Sequence, residues 1–218
     1  MPARILWTND TPTVTNVFFV PPLTFASVNQ NGSGVVGGLV TGFNWQLSNA
    51  FVVGLEGDLE GTSIRASTNA YTNLPGGAVT TGQAITREAL PWQASLRARL
   101  GFAAGDALFY GTGGIAFGEI ETRYSWVAPP FPPPNVDSFS RTKVGWTLGA
   151  GVEYALNANW AARAEYRYTS FGKFTDPLLN SSLGAIPANL ARHDLAENTV
   201  RVGIVYLFNA SQPVAARY

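Results

Sequence analysis

The chain contains no cysteine and a single histidine, His193, and only 13% of its 218 residues are charged. Without cysteine there are no disulfides, no thiolate metal sites and no thiol catalysis. Lysine plus arginine number 14, as do aspartate plus glutamate, so the formal net charge is zero. That balance offers no basic footprint for nucleic acid. Also missing is any apolar run near the roughly 20 residues a membrane helix needs. Phosphate loops, nucleophile elbows and clustered metal ligands are absent as motifs, so no catalytic residue, metal or cofactor is expected. The N-terminal stretch MPARILWTNDTPTV has one early arginine but no apolar core and no small-residue cleavage site, and does not read as a signal peptide. A soluble domain usually carries about a quarter charged residues. A lipid-facing β-barrel carries fewer, because its apolar residues are diluted one in two along each strand.

What is present is glycine (23 residues), aromatics (12%) and long alternating runs. The clearest lies between Lys143 and Phe174. Val144, Trp146, Leu148, Ala150, Val152 and Tyr154 share one face, with Gly145, Thr147, Gly149, Gly151 and Glu153 on the other. After a turn at 156–159, Trp160, Ala162, Ala164, Tyr166 and Tyr168 oppose Ala161, Arg163, Glu165, Arg167 and Thr169. A period of two predicts β-strands with two different environments. Glycine and full charges on the polar face suit a narrow lumen better than a solvated sheet.

Similar strands are expected at Val35–Leu47, Phe51–Ile64, Leu90–Ala103, Ala107–Tyr124 and Leu195–Phe208. A two-residue turn at Gly105-Asp106 sets Leu96 opposite Ile115 and Arg97 opposite Gly114. It also turns Glu119 and Glu121 outward, so the membrane should end near Phe117. The connections near Ser48, Gly105 and Asn157 are short, whereas 65–87, 125–142 and 175–193 are expected to be long loops. Short turns at one end and long loops at the other are the plan of an up-and-down transmembrane barrel. Seven strands are clear, and antiparallel closure demands an eighth before Val35. It is placed within 3–20, where Pro12 interrupts the pattern, and is degenerate or truncated. The expected fold is therefore an all-β, eight-stranded up-and-down antiparallel transmembrane barrel. Residues 1–33 form a poorly defined segment with the first strand, 34–208 the barrel, and 209–218 a tail.

Inward charges fall in one layer about five to ten residues above the short turns, at about 3.3 Å per residue. Glu56, Asp58, Glu60, Glu153 and Glu165 face Arg97, Arg99, Arg163, Arg167 and Arg201. Balance is expected in a closed lumen, where an unpaired charge costs several kcal/mol. An eight-stranded barrel is barely wide enough for side chains, so a salt-bridge plug is favoured over a conducting path. Outward aromatics form two bands, Trp45, Tyr154, Trp160 and Tyr206 near the short turns and Trp92, Trp146 and Tyr166 toward the long loops. These suit two membrane interfaces. His193, with Ser181, Ser182, Asp194 and Glu197 nearby, leaves a lipid-modifying enzyme as the minor alternative, and a small diffusion channel is the other.

The pieces GGLVTGFNWQL, VVGLEGDLEGTS, SLRARLGF, LFYGTGGIAFG, LGAGVEYALNANWAARAEYRY and TVRVGIVYLF span Gly37 to Phe208 in order. Together they resemble the alphaproteobacterial porin-family outer-membrane β-barrel proteins, an OmpA-like group that includes surface antigens. The family begins with a signal peptide and a Trp-led first strand, of which Trp7-Thr8-Asn9-Asp10 matches only the start. The resemblance implies an integral outer-membrane protein with a structural, envelope-integrity or surface-interaction role. Its expected partners are outer-membrane lipid, the barrel-assembly machinery and surface ligands of the long loops. A terminal aromatic, Tyr218 or Phe208, would serve as assembly signal. No motif for haem, which some members are proposed to bind, is found.

Overall fold

The computed structural model describes residues 3–7, 30–47, 50–73, 81–127, 135–177 and 190–208. They form nine strands: β1 (Ala3–Trp7), β2 (Gln30–Gly34), β3 (Val36–Gln46), β4 (Phe51–Asn73), β5 (Thr81–Ala104), β6 (Ala107–Val127), β7 (Asn135–Ala155), β8 (Trp160–Pro177) and β9 (Leu190–Tyr206). β2 and β3 are one path interrupted at Val35, so the sheet has eight antiparallel strand paths. Neighbours in sequence pair from β3 round to β9, and β1 lies between β9 and β2.

The short turns set the register. Gly105 takes φ +58°, which glycine adopts without steric cost, and the ladder then runs Leu96↔Ile115 and Arg97↔Gly114, as expected. At the β7–β8 turn the Asn157 side chain accepts hydrogen bonds from the backbone N–H of Asn159 and Trp160, both at 3.0 Å. This Asx-type bond does locally what a longer loop would need several residues to do. The Ser48-Asn49 turn lies outside the described residues.

The outward face is apolar and open. Leu39 and Val202 are each 84% exposed, and Phe43, Leu55, Leu59, Leu96, Leu100, Ile115, Leu148 and Ile204 are exposed with them. A soluble monomer rarely exposes more than a few hundred Å² of contiguous apolar surface, whereas a barrel in lipid needs such a band. The band ends at Phe117. Beyond it, register shifts at Gly61/Ile64, Ala89/Gln93 and Ser170/Gly172 mark where strands leave the membrane. Pro91 lies inside the second and has no N–H for the ladder. Thr62 spans the first, its hydroxyl donating to the Leu90 carbonyl and accepting from Ile64 N–H at 3.1 Å.

Three expectations are corrected here. The segment 65–87 is mostly strand, with pairs from Arg65↔Ala89 to Asn73↔Thr81. Likewise β6 reaches Val127, β7 starts at Asn135, β8 reaches Pro177 and β9 starts at Leu190. These stretches are polar because they stand above the membrane; their Thr, Ser and Tyr content still suits strands. Third, 1–33 is expected to be poorly defined apart from the first strand, yet Gln30–Gly34 is β2, held by Ala3↔Gly34 through Trp7↔Gln30. The first strand is found at Ala3–Trp7; the rest of its expected range, from residue 8 through Pro12 to residue 20, lies outside the described residues.

Among the described residues the ring closes at its upper level only. β1 meets β9 from Trp7↔Leu195 to Arg4↔Asn198, and β2 touches β4 at Ser33↔Arg65. Below that level β3 pairs only with β4 and β9 only with β8 among the described residues.

Candidate functional site: the lumen and the girdles

Alternation along β4, β5, β7, β8 and β9 turns the expected charges inward, and the ladders bring several together directly. Glu56 is the register partner of Arg97, Glu153 of Arg163, and Glu165 of Arg201. Arg97 is 1% exposed and sits at the centre, 2.7 Å from Glu56, 3.0 Å from Asp58 and 2.9 Å from Glu165. Arg163 grips Glu56 through two nitrogens at 3.0 and 3.1 Å and also contacts Glu153 and Glu165. Arg167 joins Glu165 at 2.9 Å, Asp58 at 3.2 Å and Glu60 at 3.6 Å. Arg201 holds Glu60 at 2.8 and 2.7 Å, and Arg99 reaches Glu153 at 2.8 Å. All ten expected residues thus belong to one connected network, one arginine for each carboxylate. Forked guanidinium groups suit it, since each spans two carboxylate oxygens or two carboxylates.

Sequence reasoning missed several members. Tyr110 donates to Glu165 at 3.1 Å, and its ring lies under the guanidinium groups of Arg99 (3.8 Å) and Arg163 (5.0 Å). Its partners across the ladders are Gly101 and Gly151. A Cβ on Gly151 would meet the Tyr110 hydroxyl at 2.4 Å. A tyrosine opposite two glycines on an inward face is therefore the readable signal. Ser95 donates to Asp58 at 2.6 Å and Gln93 to Glu60 at 2.9 Å, both from inward positions of β5. Glu197, named above only beside His193, faces the lumen from β9. It is fully buried, and its one hydrogen bond, from Gln93 at 3.4 Å, is long; no ion pair within 4 Å reaches it among the described residues.

Above the charges lies an apolar layer of Ile64, Ala66, Leu90, Ala116, Ile120, Phe171, Phe174 and Leu195, all buried. No simple alternation points to it, because the register shifts exchange the inward parity of β5 between Gln93 and Leu90.

The aromatic bands divide by height. Trp160 packs edge-on against Tyr206 at 4.9 Å at the short-turn end, the end of their strands where Tyr154 and Trp45 also stand. At the far end Trp146 meets Tyr168 at 5.2 Å, and the Trp92 indole donates to Glu119 at 2.6 Å. Tyr166 stands lower than Trp146, its hydroxyl reaching up to Asn198 at 2.6 Å. Just outside the apolar band, hydrogen bonds from Ser140 (2.5 Å) and Trp92 hold the Glu119 carboxyl below its ordinary range. Of the alternative catalytic set, Ser181 and Ser182 lie outside the described residues, as does Tyr218 of the tail. His193 is placed by its backbone pairing with Phe174.

Comparison with known proteins agrees with this architecture. Residues 13–208 match the family described as outer membrane protein β-barrel domain. The chain is 37% identical over 184 residues to the 31 kDa outer-membrane immunogenic protein of Brucella melitensis biotype 1, covering 84% of this chain and 70% of that one. It is 29% identical over 171 residues to the 22 kDa outer membrane protein of Rhizobium leguminosarum bv. viciae, covering 78% and 65%. Among solved structures, the attachment invasion locus protein Ail of Yersinia pestis aligns over 95% of this chain and 97% of its own, at 14% identity and a TM-score of 0.35. The chain belongs to the outer membrane protein β-barrel domain family and is an outer-membrane protein.

Proposed function

We propose that this protein is a structural barrel of the outer membrane whose lumen is plugged, and which meets the surroundings through its extended outer strands and loops. One observation carries the reading: the lumen is filled at two successive levels. The lower level is the arginine–carboxylate network and the upper is the apolar layer around Leu90, Phe171 and Leu195. A conducting path would have to part buried ion pairs and then cross an apolar constriction. Parting a buried pair costs about 3–5 kcal/mol. The relatives carry names of outer-membrane and immunogenic proteins, which supports an envelope and surface role over an enzymatic one.

Planar-bilayer recording tests the plug. The wild type is expected to be silent, and Arg97→Ala or Glu165→Ala to stay silent or flicker irregularly. Steady wild-type conductance, changed in size by either substitution, would replace the plug with a small diffusion channel.

A further inference from the structure

The outward face just above the membrane carries three arginines that the network does not use. Arg65, Arg87 and Arg123 lie on the adjacent strands β4, β5 and β6 and are exposed. Their chain neighbours Ile64, Ala66, Glu88 and Thr122 are buried, so the arginines point away from the lumen. Arg87 and Arg123 are direct register partners, while Arg65 is opposite Ala89, one row lower. Directly opposite antiparallel residues have Cβ atoms about 4.5–5.5 Å apart, and like charges there repel. Among the described residues no ion pair relieves them. Glu121 shares this face two residues below Arg123, and Glu119 is occupied by Trp92 and Ser140. The arrangement leaves a local excess of exposed positive charge on three neighbouring strands.

Height identifies the anion. Glu119 is level with the Trp92 indole of the outer girdle, and Arg123 follows four residues later, about 13 Å further along the strand. Strands tilt in such barrels, so the three guanidinium groups stand roughly 5–10 Å above the aromatic belt. They face sideways into the lipid annulus, not upward into the mouth. At that depth and direction the neighbouring anions are headgroup phosphates of the outer leaflet.

We propose that Arg65, Arg87 and Arg123 form a binding site for the phosphate groups of an anionic outer-leaflet glycolipid. The guanidinium forks supply paired N–H donors to phosphate oxygens. Glu121 trims the positive field at the lower edge of the site.

The test uses the full chain in phosphatidylcholine nanodiscs with a few mole per cent of bisphosphorylated lipid A, and counts retained glycolipid by native mass spectrometry. A basic side chain at an anionic surface contributes roughly fivefold, so the triple variant R65Q/R87Q/R123Q should lose retention on the order of a hundredfold. Its heat-dependent gel mobility should be unchanged, since all three side chains are exposed. Wild type should discriminate against dephosphorylated lipid A, and Glu121→Gln should retain more phosphorylated lipid. Equal retention of both lipids by the wild type would overturn the site whether or not the triple variant folds. So would wild-type retention in a folded triple variant.

Discussion

Two sides of the same barrel follow the same alternation and reach different outcomes. From β4 to β8 every inward position has neighbours on both sides, and Arg97, Glu165 and Arg167 are buried in reciprocal pairs. On the other side β3 and the lower half of β9 each have one partner among the described residues, against which inward Gly38, Gly42, Asn44 and Gly203 are exposed. The difference teaches that an alternating strand specifies which residues face inward but not whether they become buried. Burial needs a second wall. Among the described residues the short ladder of β1 supplies one near Asn198 and Gly34.

The largest effect should appear in amide exchange. In β5, β6 and β7 both edges are bonded within the membrane, so consecutive amides should be protected alike. In Leu39–Gln46 and Val200–Tyr206 only the amides aimed at β4 or β8 are bonded among the described residues, so an every-second-residue pattern that spans orders of magnitude is expected. Uniform protection across both segments would erase the contrast.

Next come substitutions within the walled side. Arg97→Leu leaves five buried carboxylates facing four arginines at the centre of the network, and should destabilise by about 3–5 kcal/mol in urea unfolding from detergent. Gly114→Val should prevent assembly, because even its Cβ would lie 2.0 Å from the Leu96 carbonyl oxygen. Its counterpart Gly203→Ala meets nothing within 4 Å and should change stability by no more than about 0.5 kcal/mol. A similar loss in both glycine variants would show that Gly203 is as closely packed as Gly114.

A finer contrast sets Glu165 against Glu197. Glu165 contacts Arg97, Arg163 and Arg167, whereas Glu197 has only the long bond from Gln93. Glu165→Gln should lose about 2–4 kcal/mol, and Glu197→Gln should be neutral or stabilising, because it removes a buried charge without breaking a pair. The same urea midpoints decide it.

The smallest effect belongs to Glu119. Its carboxyl is held below the ordinary range in the folded protein, so it contributes stability above the unfolded value that fades as pH falls through the lowered one. Ser140→Ala should flatten that part of the acid unfolding profile. An unchanged profile would remove Glu119 from the account.

Much of this was legible in the chain. Alternation alone named the ten lumen charges, and the Gly105-Asp106 turn gave the β5–β6 register residue by residue as far as Gln93↔Gly118, where the bulge at Pro91 resets it. The outer extensions were misread as loops because polarity there reports water, not absence of strand. Tyr110 was hidden in a glycine-rich strand whose glycines only gain meaning once Gly101 and Gly151 are placed beside it. The apolar layer was hidden by register shifts, which exchange inward and outward parity at Pro91 and Gly172.

Periodicity and turn chemistry are local, so within the membrane the linear order of residues was enough to decide strand identity, facing, short-turn register and polarity. Which carboxylate meets which arginine, such as Glu56 with Arg163 across the lumen, depends on how the sheet curves and brings distant strands together. The stacking of an apolar layer over the charges, the uneven walls beside β3 and β9, and the arginines grouped on three neighbouring strands are likewise long-range outcomes. They arise because side chains gain burial and partners only when strands far apart in sequence share one height.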